Sequence, residues 1–131
     1  MDARELLAVA EAVCDDAERM FLAGVGSDPA AMKSPGDFAT EVDLAIEAYL
    51  RQSLTQFTGI PVLGEEAGGN YSHDAVWIVD PIDGTANYAA GNPMCAILIS
   101  LLVDDQPVAA VTSMPLLHRR LSAFEGSPVM C

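Results

Sequence analysis

Asp80 and Asp83 stand three residues apart in WIVDPIDGTANY, residues 77–88, where an apolar run breaks into a turn. Pro81 fixes the backbone between them, so both carboxylates can be aimed at one point. Two carboxylates held that close raise each other's pKa unless a cation lies between them. Mg²⁺ takes oxygen ligands in near-octahedral geometry, and the main-chain carbonyl of Ile82 is spaced to be a third donor. Gly84 and Thr85 come next. If a helix starts after them, their N–H groups form an anion site, with Gly84 allowing close approach and Thr85 adding a hydroxyl. A cation-binding turn that runs into a phosphate-binding helix start suits phosphoryl transfer or phosphate-ester hydrolysis. The same turn also reads as plain structure, with Asp80 capping the helix and Asp83 solvated.

Other segments add acidic residues. LGEEAGG, residues 63–69, ends a strand in Glu65 and Glu66, and a neighbouring strand could bring Glu65 to the same cation. The alternative is a charged loop after an edge strand. KSPGDFATEVD, residues 33–43, contributes Lys33, Asp37, Thr40, Glu41 and Asp43. Asp43 falls in the first turn of a predicted helix, where the dipole alone favours a carboxylate. The D-x-D-G-T signature of haloacid-dehalogenase-type phosphatases does not apply, because Pro81 occupies the nucleophile position two before Asp83.

Helices and strands must position these residues. Asp2 and Glu5 form a D-x-x-E helix start, and Leu6, Val9, Ala10, Val13, Ala17, Met20 and Phe21 recur at helical spacing to about Leu22. AGVGSDPAAMKSPGD, residues 23–37, reads as a loop. A second helix carries Val42, Ile46, Leu50, Leu54 and Phe57 on one face. TGIPVLGEE holds a short strand, EAGGNYSHD is a loop, and AVWIVD is a strand apolar on both faces and hence central in a sheet. MCAILISLLV and VAAVTSM read as two long strands joined by a tight turn at residues 104–107, and RRLSAFEGSPVM begins another. Two helices followed by strands predict an α+β arrangement, the helix pair packed on one face of an antiparallel-rich sheet.

Six Lys and Arg stand against 19 Asp and Glu, a formal net charge of −13, which repels nucleic acid and anionic membranes alike. Cys14, Cys95 and Cys131 lack metal-ligand spacing and suit reduced thiols, and His73 and His118 are too far apart in sequence to suggest a zinc site. The N-terminus is unlike a signal peptide, and MCAILISLLV is too short to cross a bilayer. A cytoplasmic protein is expected.

With GEE, WIVDPIDGTANY and the upstream DFATEVD in this order and spacing, the chain resembles the inositol monophosphatase family of Mg²⁺-dependent, Li⁺-sensitive phosphatases. DFATEVDLAIE and NYAAGNP look most like its actinobacterial members. The resemblance implies a layered αβαβα fold, of which residues 1–131 would be the N-terminal metal- and phosphate-binding portion. The family's second half supplies a further metal-binding aspartate from a W-D motif, and the single Trp here, Trp77, is not followed by Asp. Carried over by position, Glu65, Asp80 and the Ile82 carbonyl would hold one Mg²⁺, and Asp80 and Asp83 a second, in a site of two or three ions. Glu65 and Thr85 would position the water that attacks phosphorus in line, with Asp43 polarising Thr85 and no covalent intermediate. The Gly84 and Thr85 amides would bind phosphate, Lys33 would sit near it, and Asp83 would reach a substrate hydroxyl. Tyr88 keeps the aromatic that the family places there as Phe.

The implied activity is hydrolysis of a small phosphorylated metabolite such as inositol 1-phosphate. Histidinol phosphate, fructose 1,6-bisphosphate and 3′-phosphoadenosine 5′-phosphate are alternatives from relatives, and Ala86 weighs against the nucleotide type. The rival reading is a non-catalytic metal-binding fragment that needs a partner chain or the missing half. Homodimers are common in the family and are expected on the same ground.

Overall fold

Asp2 and Glu5 close a capping box at the start of α1 (Ala3–Ala23), Glu5 N–H donating to Asp2 at 2.8 Å and Asp2 N–H to Glu5 at 3.3 Å. This box satisfies helix-end donors that would otherwise lack partners. The apolar stripe of α1 buries Leu6, Leu7, Ala10, Val13, Cys14, Ala17 and Phe21. The computed structural model describes residues 1–25, 29–34 and 37–131.

The segment read as a loop is partly strand. β1 (Pro29–Ser34) pairs antiparallel with β2 (Asp37–Thr40), with register irregularities at Pro29/Ala31 and Met32/Ser34. β2 leads directly into α2 (Glu41–Thr58), capped by Thr40. Ile46, Leu50 and Leu54 are fully buried as the periodicity predicts, but Phe57 is 61% exposed. Phe57 instead lines an outer groove with Val9 and Val13 of α1. The stripe turns out of the core because α2 ends at Thr58, within one residue of it.

After α2 the chain forms β3 (Val62–Gly64), β4 (Ala75–Asp83), α3 (Thr85–Ala89), β5 (Ala96–Val103), β6 (Gln106–Met114), a 3-10 turn (Pro115–Leu117) and β7 (Arg119–Phe124). The five strands β3 to β7 make one sheet in sequence order; β3 lies parallel to β4, and the other neighbours pair antiparallel. The β5–β6 turn uses only Asp104 and Asp105, with φ of 50° and 63°, so β6 starts at Gln106. Two left-handed residues in succession match the twist of a two-residue hairpin.

Alternation divides the sheet into faces. Trp77 and Val79 of β4, Ile97, Ile99 and Leu101 of β5, and Ala109 and Val111 of β6 share one buried cluster with the stripes of α1 and α2. The expected helix pair on one face of the sheet is therefore present, and the sheet is mixed. The indole N–H of Trp77 donates to Thr58 Oγ1 at 3.1 Å, tying β4 to the end of α2. Glu18 of α1 binds Ser113 of β6 and Arg120 of β7, so the far side of the same interface is polar. All three cysteines are free thiols. Among the described residues no helix is long and apolar enough to cross a membrane.

Tyr88 fastens α3 to the helical layer. It is fully buried, its hydroxyl donates to the Phe21 carbonyl at 2.6 Å, and its ring meets the Phe21 ring edge-on at 4.6 Å. Tyr88→Phe keeps the ring and leaves the carbonyl without that donor. It is expected to cost about 1–2 kcal/mol in denaturant unfolding. An unchanged midpoint and slope would show that this bond contributes nothing net.

Candidate functional site

The parallel pairing of β3 with β4 is what brings the acidic segments together. Gly64 lies opposite Val79, so the residues that follow each, Glu65 and Asp80, emerge side by side. Asp80 hydrogen-bonds the Glu65 side chain, and its carboxyl is pushed up to about 7. Burial is the main cause, followed by the charge of Glu65, the hydrogen bond to Glu65 and the charge of Asp83, while a bond from the Ile82 main chain opposes them. One oxygen of Asp80, Oδ1, is buried without a hydrogen-bond partner.

Asp83 sits differently from the sequence expectation. β4 does not end at Asp80 but continues through Pro81 and Ile82 to Asp83, which pairs with Ala96 after an irregularity in the ladder. Pro81 has no N–H to donate, which is why the ladder slips there instead of the strand ending. Asp83 ends exposed at the rim, while Ile82 is buried.

Gly84 then turns the chain with φ of 85°, and a Cβ there would lie 3.0 Å from the Met94 carbonyl. Both the backbone conformation and the close approach require glycine. α3, which Gly84 caps, has five residues, so its dipole is small and any anion there depends on individual N–H groups. Thr85 donates its hydroxyl to Asp43 Oδ2 at 3.0 Å, with the Ile82 carbonyl also within reach at 3.2 Å.

Asp43 serves the helix and the site together. It is the third residue of the α2 capping box, its Oδ1 accepting from Thr40 N–H at 2.9 Å and from the Thr40 hydroxyl, while its own N–H donates to Thr40 Oγ1 at 3.2 Å. Its second oxygen takes the Thr85 hydroxyl. The carboxylate is fully buried and accepts from the Thr40 N–H, the Thr40 hydroxyl and the Thr85 hydroxyl.

Glu65, Asp80, Ile82 and Asp83 thus share one rim with Gly84, Thr85 and Asp43. Lys33 lies in β1, and its side chain, like that of Asp37, is outside the described residues. Among the described residues no three His, Cys, Asp or Glu side chains converge as a ready ligand set. Glu66 directs its N–H to Glu47 at 2.7 Å. Three further residues escaped the sequence reading: Thr40 as the cap, and Glu47 and Arg51 behind Glu65. A Glu beside Ile46 on a helix stripe, with Arg four residues on, was the available signal.

The sequence profile of the inositol monophosphatase family matches residues 2–131. The chain belongs to that family. It is 50% identical over 125 residues to the inositol-1-monophosphatase ImpA of Mycolicibacterium smegmatis, a match covering 95% of this chain and 45% of the relative. It is 40% identical over 124 residues to the histidinol-phosphatase of Mycobacterium tuberculosis, covering 92% of this chain and 48% of that protein. In structure it superposes on the extragenic suppressor protein SuhB of Bartonella henselae with a TM-score of 0.88 at 26% identity, covering 96% of this chain and 51% of the other. The chain spans about half the length of the relatives it matches. Its helix pair and mixed sheet are the N-terminal part of the inositol monophosphatase fold.

Proposed function

We propose that this chain carries the metal- and phosphate-binding portion of a Mg²⁺-dependent phosphomonoesterase acting on a small phosphate ester such as inositol 1-phosphate. The observation that supports this most directly is Asp80 Oδ1, a buried acceptor without a partner, on a carboxyl that also faces Glu65. Leaving such a group unmet costs about 1–3 kcal/mol, and a hard cation removes that cost. The donors are all oxygen, as Mg²⁺ prefers over softer metals. Glu65, Asp80 and the Ile82 carbonyl would hold one ion, and Asp80 with Asp83 a second. Bound there, the ions would neutralise the phosphate ester and polarise it for attack.

The chain's own residues then have separable tasks. Thr85 gives its proton to Asp43, so its oxygen is left to accept one from a water. Glu65, exposed at the rim beside Asp80, would hold the other side of that water. The Gly84 and Thr85 amides would receive phosphate oxygens, Lys33 would add charge nearby, and Asp83 would meet a substrate hydroxyl. Histidinol phosphate is the second substrate to try, because that relative is 40% identical. Li⁺ sensitivity, assembly as a homodimer and a cytoplasmic setting belong to the same reading, from the family resemblance.

A second reading is a metal-binding portion without turnover of its own, favoured by the lack of three converging acidic side chains among the described residues. Phosphate release from inositol 1-phosphate with Mg²⁺, with EDTA and with added Li⁺ separates the two. Mg²⁺-dependent, Li⁺-inhibited release is the expected result for the phosphatase. Mg²⁺ binding without release supports the second reading, and no Mg²⁺ binding defeats both.

A further inference from the structure

We infer that Glu47 and Arg51 of α2 are positioning residues for Glu65, acting through the main chain of the turn that carries it. The inference rests on the metal-site reading above and adds a support that reading does not contain.

Glu47 is 1% exposed, deep in the α2 interface. Its carboxylate accepts the N–H of Glu66 at 2.7 Å on Oε1 and the N–H of Ala67 on Oε2. Arg51, one turn later, donates to Glu47 Oε2 at 3.3 Å, to the Val62 carbonyl at 2.7 Å and to the Gly68 carbonyl at 2.7 Å. One guanidinium therefore spans the start of β3 and the end of the turn, while the carboxylate grips the middle. Gly64 N–H closes the same turn by donating to the Gly68 carbonyl at 2.9 Å.

Gly64 shows that the backbone is built around this carboxylate. A Cβ at Gly64 would lie 2.4 Å from Glu47 Cδ, so glycine there leaves the room that the Glu47 carboxylate occupies. The residues on both sides of Glu65 are thus pinned, Gly64 by the sheet and by Gly68, Glu66 by Glu47. The Glu65 side chain itself is exposed at the rim, where it hydrogen-bonds Asp80. A buried carboxylate is costly unless it is hydrogen-bonded and paired, and Glu47 has both kinds of partner. A staple of that kind would stabilise any loop. What sets this one apart is its place immediately behind a ligand, where fixing the main chain fixes the geometry offered to the cation.

Glu47→Gln keeps the shape and sets an amide NH₂ against one of the two backbone donors. That loosens the turn while Ile46, Leu50 and Leu54 stay packed. Mn²⁺, followed by its paramagnetic resonance, is a probe that needs no turnover. Glu47→Gln is expected to weaken Mn²⁺ binding about 10- to 100-fold with a cooperative thermal transition retained. Glu65→Gln is expected to weaken it at least as much, and the double variant no further than Glu65→Gln alone. That non-additivity is what a merely structural role would not produce. Arg51→Lys keeps the charge but not the fork and should weaken binding by roughly threefold or more; it carries the same test if Glu47→Gln does not fold.

Mn²⁺ affinity in Glu47→Gln within about twofold of wild type, while Glu65→Gln loses it, overturns the positioning role and leaves the metal reading intact. A double variant whose loss is the product of the two single losses overturns it as well. A wild-type chain that binds no Mn²⁺ removes the metal reading and this inference with it.

Discussion

Replacing Asp80 with Asn is expected to stabilise the metal-free chain and to abolish its response to Mg²⁺. Asp80 is the residue on which burial and two neighbouring carboxylates converge, and its Oδ1 has no hydrogen-bond partner. In the unfolded chain that carboxyl ionises near its ordinary value of 3.8, whereas the folded chain raises it to about 7. Between those values the folded state holds a proton that the unfolded state has released. The charge therefore costs stability fully above the folded value, and that cost fades as pH falls toward the unfolded one. The gain from pH 8 to pH 5 should be about 1–2 kcal/mol, less than full linkage because the carboxyl is partly solvated. Asn has the same shape without the charge, so this contribution to the slope should vanish in EDTA and the variant should be more stable at pH 8. Mg²⁺ should raise the melting temperature of the wild type and leave Asp80→Asn unmoved. A variant that is less stable than wild type in EDTA at pH 8, yet still gains as much from Mg²⁺, would sink the assignment of Asp80 as a ligand.

What the sequence made legible is what is encoded locally. Asp2 and Glu5 announce a capping box because both partners lie within one turn. The β5–β6 hairpin is readable because long apolar runs flank residues that tolerate a left-handed backbone. The β1–β2 pair was lost in a Gly- and Pro-rich stretch, since Pro29–Ser34 has no apolar alternation and its ladder is irregular. Asp83 was placed past the end of its strand because proline ordinarily stops a ladder; here the ladder slips around it. Glu47 was missed for a different reason: its partners are main-chain N–H groups 19 and 20 residues away, which no local pattern reports. Asp43 was visible as a helix-start carboxylate, and that reading was correct as far as it went. Its bond to Thr85 joins residues 42 apart, so from the residues alone only the family resemblance suggested it.

Asp43→Ala should therefore damage the fold and the site in one step. The carboxylate is fully buried and accepts from the Thr40 N–H, the Thr40 hydroxyl and the Thr85 hydroxyl. Alanine leaves those donors facing a cavity too confined to hydrate them well. The expected loss is about 3–5 kcal/mol in denaturant unfolding, a large share of a small domain's stability. Thr85→Ala removes one of the three donors, from a half-buried position, and should cost about 1 kcal/mol. In a double-mutant cycle the pair should couple by roughly 1–2 kcal/mol, since a hydroxyl bonded to a buried carboxylate is charge-assisted. Neither Asp43 nor the Thr85 side chain is assigned to the cation, so Mn²⁺ affinity in Thr85→Ala should stay within about threefold of wild type. Asp43→Asn makes the distinction sharper. With its oxygen kept on Thr40, its NH₂ must face Thr85 and reverse that bond, leaving Thr85 with a proton to give where it had a lone pair to offer. If Asp43→Asn and Thr85→Ala both lose Mn²⁺ together with stability, Thr85 belongs to the cation's own shell; if stability falls and Mn²⁺ stays, Asp43 is the residue through which the start of α2 sets the direction of the Thr85 hydroxyl.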